Sequence, residues 1–195
     1  MPKRFWFVIE GDNGAGKDSL ADRLIGDGWF LGNRIPEINA QKERASRLSG
    51  IARVRAFMLY NEMCGELISA HPSRSFLVRY WPSTLAAAFA DAIFEWAEIE
   101  TEVDFSLRQF RAPALYLFLT CGLDTRQNRV KNRGMVPGAV DDISEDRDNR
   151  YRESIRRLAE YPGVGNWKSL DTTELNTEQV YQSVRKMLID MEVLS

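Results

Sequence analysis

The chain has 195 residues, with 26 Lys and Arg against 28 Asp and Glu and a formal net charge of −2. That length suits one domain, 1–195, with a substantial core, and the near-neutral balance excludes a surface that coats nucleic acid generally, leaving room only for a local basic groove. Cys64 and Cys121 are too few for a disulfide framework and indicate a reducing cytoplasm, no run approaches the roughly eighteen apolar residues of a membrane span, and Met1-Pro2-Lys3-Arg4 leads directly into a strand pattern, so no leader is expected.

A short apolar, β-branched run predicts a buried strand over 4–10, and it ends in Gly11-Asp12-Asn13-Gly14-Ala15-Gly16-Lys17. A helix is expected over 18–25, with Leu20, Leu24 and Ile25 on one face. Gly26-Asp27-Gly28 stops it, and Trp29-Phe30-Leu31 reads as a second strand. After the loop Gly32–Glu37, helical periodicity runs from Ala40 to Ala70 with a break at Gly50. Ile51, Val54, Phe57, Met58 and Leu67 are its core candidates, while Tyr60 and Asn61 are free to face a cleft. Ser75-Phe76-Leu77-Val78 is a third strand that delivers Arg79 at its C-terminal end. Ser83 is a candidate N-cap for a helix running through Leu85, Phe89, Ile93 and Trp96, thinned on one side by Ala86-Ala87-Ala88. A fourth strand is expected over 115–119 and a basic helix from Asp124, followed by a Gly- and Pro-containing lid over about 133–150 and a charged helix over 145–160. A fifth strand over 167–170, the turn Asp171-Thr172-Thr173 and a helix capped by Thr177 close the pattern. Short strands alternating with helices predict a three-layer α/β fold, with a parallel sheet of about five strands between helices. Ligands of such sheets gather at the C-terminal strand ends, where the Gly11 loop, Arg34, Arg79 and Cys121 would lie.

The spacing from Gly11 to Lys17 fits the phosphate-cradling loop G-x-x-x-x-G-K, with Asp18 in place of the usual Ser or Thr and Ser19 as the nearest hydroxyl. Glycines let amides turn toward an anion, the following helix N-terminus adds partial positive charge, and lysine reaches the outer phosphates. Phosphoryl transfer needs two reactants held in line and negative charge neutralised. Lys17 and the amides of the loop Gly11, Asp12, Asn13, Gly14, Ala15, Gly16 suit the donor; Arg79, with Arg34 from the neighbouring strand, suits an acceptor phosphate, and Glu37 would hold Arg34 or read an acceptor hydroxyl. Arg126, Arg129, Arg133, Arg147 and Arg150 flank the lid. The single histidine, His71, argues against a histidine-based triad, and no Cys/His/Asp cluster has zinc spacing.

These segments resemble the thymidylate kinase branch of the nucleoside monophosphate kinases. The resemblance is carried by Ile9-Glu10-Gly11 with Gly14-Ala15-Gly16-Lys17, by Arg79-Tyr80 with Ser83-Thr84-Leu85-Ala86, by Pro113 to Gly134 with Arg129 and Arg133, and by Asp171-Thr172-Thr173 before Thr177. Arg34-Ile35-Pro36-Glu37 is a looser match. The resemblance implies a P-loop kinase with ATP and Mg²⁺, a deoxynucleoside monophosphate acceptor and a homodimer through the long helices. By position it implies Lys17, Arg129, Arg133 and Thr172 at ATP, Arg34, Arg79 and Ser83 at the acceptor, Phe57 or Tyr60 flanking its base, and Asp18 or Ser19 at the metal. Val78 stands where the family has Asp before Arg-Tyr, Asn13 where its loop has Asp, and Ala87-Ala88 where it has a larger polar pair. Two alternatives are a kinase of a nucleoside or of a modified base in DNA, which needs a general base (Glu10, Asp12 or Glu37), and a nucleotide-binding module without turnover.

Overall fold

The computed structural model describes residues 5–132 and 145–191. The strands are β1 (Trp6–Gly11), β2 (Phe30–Leu31), β3 (Ser75–Val78), β4 (Leu115–Thr120) and β5 (Trp167–Asp171). All pair in parallel, in the order β2-β3-β1-β4-β5. The helices are α1 (Lys17–Gly26), α2 (Pro36–Ser46), α3 (Gly50–Ala70), α4 (Trp81–Ala90), α5 (Trp96–Gln109), α6 (Leu123–Asn132), α7 (Glu145–Glu160) and α8 (Thr177–Asp190), with a 3₁₀ turn at Gly32–Arg34.

The central strands β1 and β4 are buried on both faces, which explains their near-continuous apolar sequence. Alternation sends Trp6 and Val8, with Leu77, Tyr116 and Phe118, into a core shared with α3, α4, α5 and α7. Phe7 and Ile9, with Phe76, Leu117 and Leu119, pack on the other side against Leu20 and Leu24 of α1 and Val180, Val184 and Leu188 of α8. The arrangement is the three-layer α/β fold expected from the sequence.

Several features differ from the sequence reading: α2 already begins at Pro36, within the expected loop, and Ile51 and Leu67, expected in the core, are exposed. Ser83 does not cap α4, which begins at Trp81 with Tyr80 as its N-cap; the Ser83 hydroxyl is instead bound by the Glu10 carboxylate of β1. The helix ends at Ala90, where Ala92 adopts φ 53° and the Ile93 amide returns to the Ala88 carbonyl at 2.8 Å, so Ile93 and Trp96 do not continue it. The cap of α8 is Asn176, not Thr177: its side chain and that of Gln179 exchange bonds with each other's amides, both 2.9 Å. The lid expected over 133–150 lies outside the described residues as far as 144, with Arg133 in it; residues 145–150 are the opening of α7.

Candidate active site

β1 runs straight into the glycine loop, and Gly11 there approaches β4 so closely that a side chain would overlap the Leu119 carbonyl. Gly14 and Gly16 take φ 79° and 94°, left-handed values that suit glycine. No side chain caps α1, so its first amides are available to an anion. The Lys17 ammonium folds over the loop, donating to the carbonyls of Gly11 at 3.0 Å and Asp12 at 2.6 Å. Burial pushes its pKa well below the ordinary lysine value, with Arg79 adding to the effect.

Two cavities flank this loop. One, of about 240 Å³, lies between the first turn of α1 and α8 and is lined by Ala15, Gly16, Ser19, Arg129, Asn176 and Thr177, among others. Arg129 donates to the carbonyls of Thr172 at 2.7 Å and Leu175 at 3.0 Å, so β5's exit is bound to α6. Thr172 is a tie rather than a cavity wall: it is fully buried, and its hydroxyl donates to the carbonyls of Ala15 and Thr120, both 3.0 Å. Asp18 stands exposed on the first turn of α1, and no cluster of three His, Cys, Asp or Glu side chains suited to a metal occurs among the described residues.

The second cavity, of about 260 Å³, opens on the other side of the loop. Asp12, Asn13, Arg79, Ser83 and Tyr151 line it beside the loop; Phe57, Tyr60, Asn61, Thr84, Ala87 and Ala88 line it from α3 and α4. Arg79 sits at the end of β3 with φ 66°, its amide bonded to the Ile9 carbonyl at 2.9 Å. Its guanidinium forks between Asn13 Oδ1 (Nη2, 2.6 Å) and the Tyr151 hydroxyl (Nη1, 3.2 Å). Asp12 is also committed: its carboxylate accepts from Arg152 Nη2 at 2.5 Å and from the Cys121 amide at 3.2 Å.

The structure corrects two acceptor-site expectations. Arg34 does not line the cavity; its exposed guanidinium pairs with Asp22 of α1 at 2.5 Å. The 3₁₀ turn rotates its neighbour inward instead, and Asn33 accepts from the Val78 amide at 2.6 Å and donates to the Tyr60 hydroxyl at 2.7 Å. Glu37, on the first turn of α2, is exposed and also outside the cavity. Phe57, Tyr60, Arg79 and Ser83 do meet around it. Tyr151 and Arg152 of α7 were missed by the sequence reading; a helical repeat joining Asp148, Tyr151, Ile155 and Leu158, all buried, is the signal that marks their inward face.

The sheet order and the strand–glycine loop–helix unit, with two cavities at the C-terminal strand ends, define a three-layer α/β fold with a phosphate-loop motif. More particularly, the architecture is similar to that of deoxynucleoside and thymidylate kinases. It matches deoxyadenosine kinase from M. mycoides, in a structure with the products dCMP and a flexible dCDP bound, with TM-score 0.67 and 15% identity over 95% of this chain and 100% of that one. It matches thymidylate kinase from Candida albicans with TM-score 0.67 and 16% identity over 98% of this chain and 93% of that one. No family model matches the chain, and no curated protein matches it in sequence. At such identities the likeness establishes the fold.

Proposed function

We propose that the protein transfers the terminal phosphoryl group of ATP to a deoxynucleoside monophosphate, giving ADP and a deoxynucleoside diphosphate. The observation that carries this reading is the position of Arg79, which joins the acceptor-side cavity to the phosphate loop through Asn13 at 2.6 Å. Its planar fork suits a phosphate, and an anion held there faces one held on the amides and Lys17. A monophosphate acceptor is already ionised, so no general base is required. The candidate bases agree: Asp12 is paired with Arg152, Glu37 lies outside the cavity, and Glu10 is fully buried under the Ser83 hydroxyl rather than lining that cavity.

Lys17 and the loop amides would hold the donor phosphates, with Arg129 and Ser19 lining the cavity beside them. Mg²⁺ binds through one or two protein oxygens together with phosphate oxygens and water. The exposed Asp18 carboxylate and the Ser19 hydroxyl fit that modest demand, and the metal would neutralise charge between the phosphates. The exposed row Leu59, Met63 and Leu67 on α3 supports the homodimer implied by the family resemblance. No helix among the described residues is long and apolar enough to cross a membrane.

A nucleoside acceptor is the second reading, favoured by the displacement of Arg34, which leaves Arg79 without that arginine as a partner at the cavity. Incubation with ATP and Mg²⁺ plus each common deoxynucleoside monophosphate, or each nucleoside, separates the two. ADP formed with a monophosphate supports the proposal; ADP formed only with a nucleoside overturns it.

A further inference from the structure

Glu10 is the last residue before the glycine loop, and its side chain is fully buried beneath the acceptor cavity. Its carboxylate accepts from the Tyr80 amide at 2.9 Å and from the Ser83 hydroxyl. The Ser83 and Tyr151 hydroxyl oxygens lie 3.0 Å apart, and Arg79 Nη1 is 3.2 Å from the Tyr151 oxygen. Hydrogen-bond roles in this chain follow from chemistry. A guanidinium only donates, so the Tyr151 oxygen accepts from Arg79 and its proton goes to Ser83. Ser83 then has its own proton for Glu10. With Glu10 ionised, its carboxylate only accepts and every donor in the chain meets an acceptor.

We propose that Glu10, through Ser83 and Tyr151, is the positioning residue that holds the Arg79 guanidinium toward the acceptor phosphate. The inference rests on the monophosphate kinase reading and adds a device to it. A proton on the Glu10 oxygen beside Ser83 brings about a reversal of that bond: Ser83 then accepts from Glu10, and its own proton loses the carboxylate. A proton on the other oxygen faces the Tyr80 amide. Either placement removes the anion on which the chain from Arg79 through Tyr151 and Ser83 ends, and so weakens the hold on Arg79. The charged and titratable groups that act on Glu10 come from four elements: Lys17 of α1, Arg79 at the end of β3, Tyr116 of β4 and Tyr151 of α7. Burial raises the Glu10 pKa to about 7 against the lowering effect of Ser83, Arg79, Tyr80 and Lys17, which places the reversal in the neutral range.

The test is titration calorimetry of the full chain with each of the common deoxynucleoside monophosphates between pH 6 and pH 8, on the wild type, Glu10→Gln and Ser83→Ala. The phosphate's own second ionisation, near pH 6, contributes equally to all three. The wild type is expected to lose about a further tenfold in affinity from pH 8 to pH 6, the response to a required ionised group of pKa near 7. Glu10→Gln, whose amide donates to Ser83, binds weakly at both pH values without that extra loss, and Ser83→Ala also lacks it. Carbon-13 NMR of glutamate-labelled wild type is expected to show one carboxyl titrating near neutrality that Glu10→Gln lacks. Binding with the wild-type pH profile retained in Glu10→Gln overturns the positioning role alone. Failure of the wild type to bind any monophosphate at either pH overturns the kinase reading and the role with it.

Discussion

Arg79 and Asn13 meet where β3 ends beside the phosphate loop, with Nη2 2.6 Å from Oδ1. The contact ties the cationic group of one cavity to the backbone that frames the other. On the proposed reading, a displacement of either residue moves the acceptor relative to the donor.

Removal of that guanidinium is expected to weaken the acceptor site selectively. A hydrogen bond to a charged group contributes about 1.5–3 kcal/mol, so Arg79→Ala should raise KM for the acceptor roughly 10- to 150-fold. Arg79→Lys, which keeps charge but lacks the fork, should recover only part of the loss. Steady-state kinetics with each substrate varied in turn checks this; an equal rise in KM for ATP would contradict it.

Arg34→Ala is expected to be nearly silent. Arg34 and Asp22 are 58% and 63% exposed at the side chain, and exposed ion pairs contribute about 0–1 kcal/mol. Acceptor KM should stay within about twofold of the wild type. A large increase would mean that Arg34 leaves Asp22 for the cavity.

The cavity should be closable from α4. Ala87 lines it and is half-buried, so Ala87→Leu projects new side-chain volume into the space facing Phe57 and Asn61. Overpacking and lost volume together suggest at least a tenfold loss of acceptor affinity, on the order of 1–3 kcal/mol, with binding of a non-hydrolysable ATP analogue unchanged. Calorimetry of each ligand separately reads both halves of the outcome.

Glu10 also predicts a stability profile. Its pKa is raised from 4.5 to about 7 by burial, so between those values the folded protein binds more protons than the unfolded chain. Stability from this group is then fully present below pH 4.5 and lost as pH rises through about 7. The total change is on the order of 3 kcal/mol. Glu10→Gln should remove that slope, gaining stability relative to wild type on going from pH 5 to pH 8. Denaturant unfolding at the two pH values checks the sign.

Much of this site is legible from local sequence. An apolar strand, three glycines and a lysine within Val8–Lys17 specify a loop conformation through nearest neighbours alone, and the structure places each in that loop. Arg79 was legible because a strand end fixes where its residue emerges. Arg34 was not, since a single 3₁₀ turn decides whether residue 33 or 34 faces the core, and the deciding partners, Val78 and Tyr60, lie 45 and 27 residues away. Ser83, read as the cap of α4, binds Glu10 instead for a similar reason. Its partner Glu10 is 73 residues distant, and a buried carboxylate attracts a hydroxyl more strongly than a helix N-terminus does. Tyr151 is 68 residues beyond Ser83 and joins them only through the packing of α4 against α7.

The central claim is that two phosphate-bearing ligands meet in front of Lys17 and Arg79, and a bisubstrate compound tests it most directly. An adenosine joined to a deoxynucleoside through a polyphosphate bridge should bind far more tightly than ATP or the monophosphate alone, because one tether satisfies both cavities at once. Arg79→Ala should reduce that advantage. Affinity for the bridged compound no greater than for ATP would contradict the account.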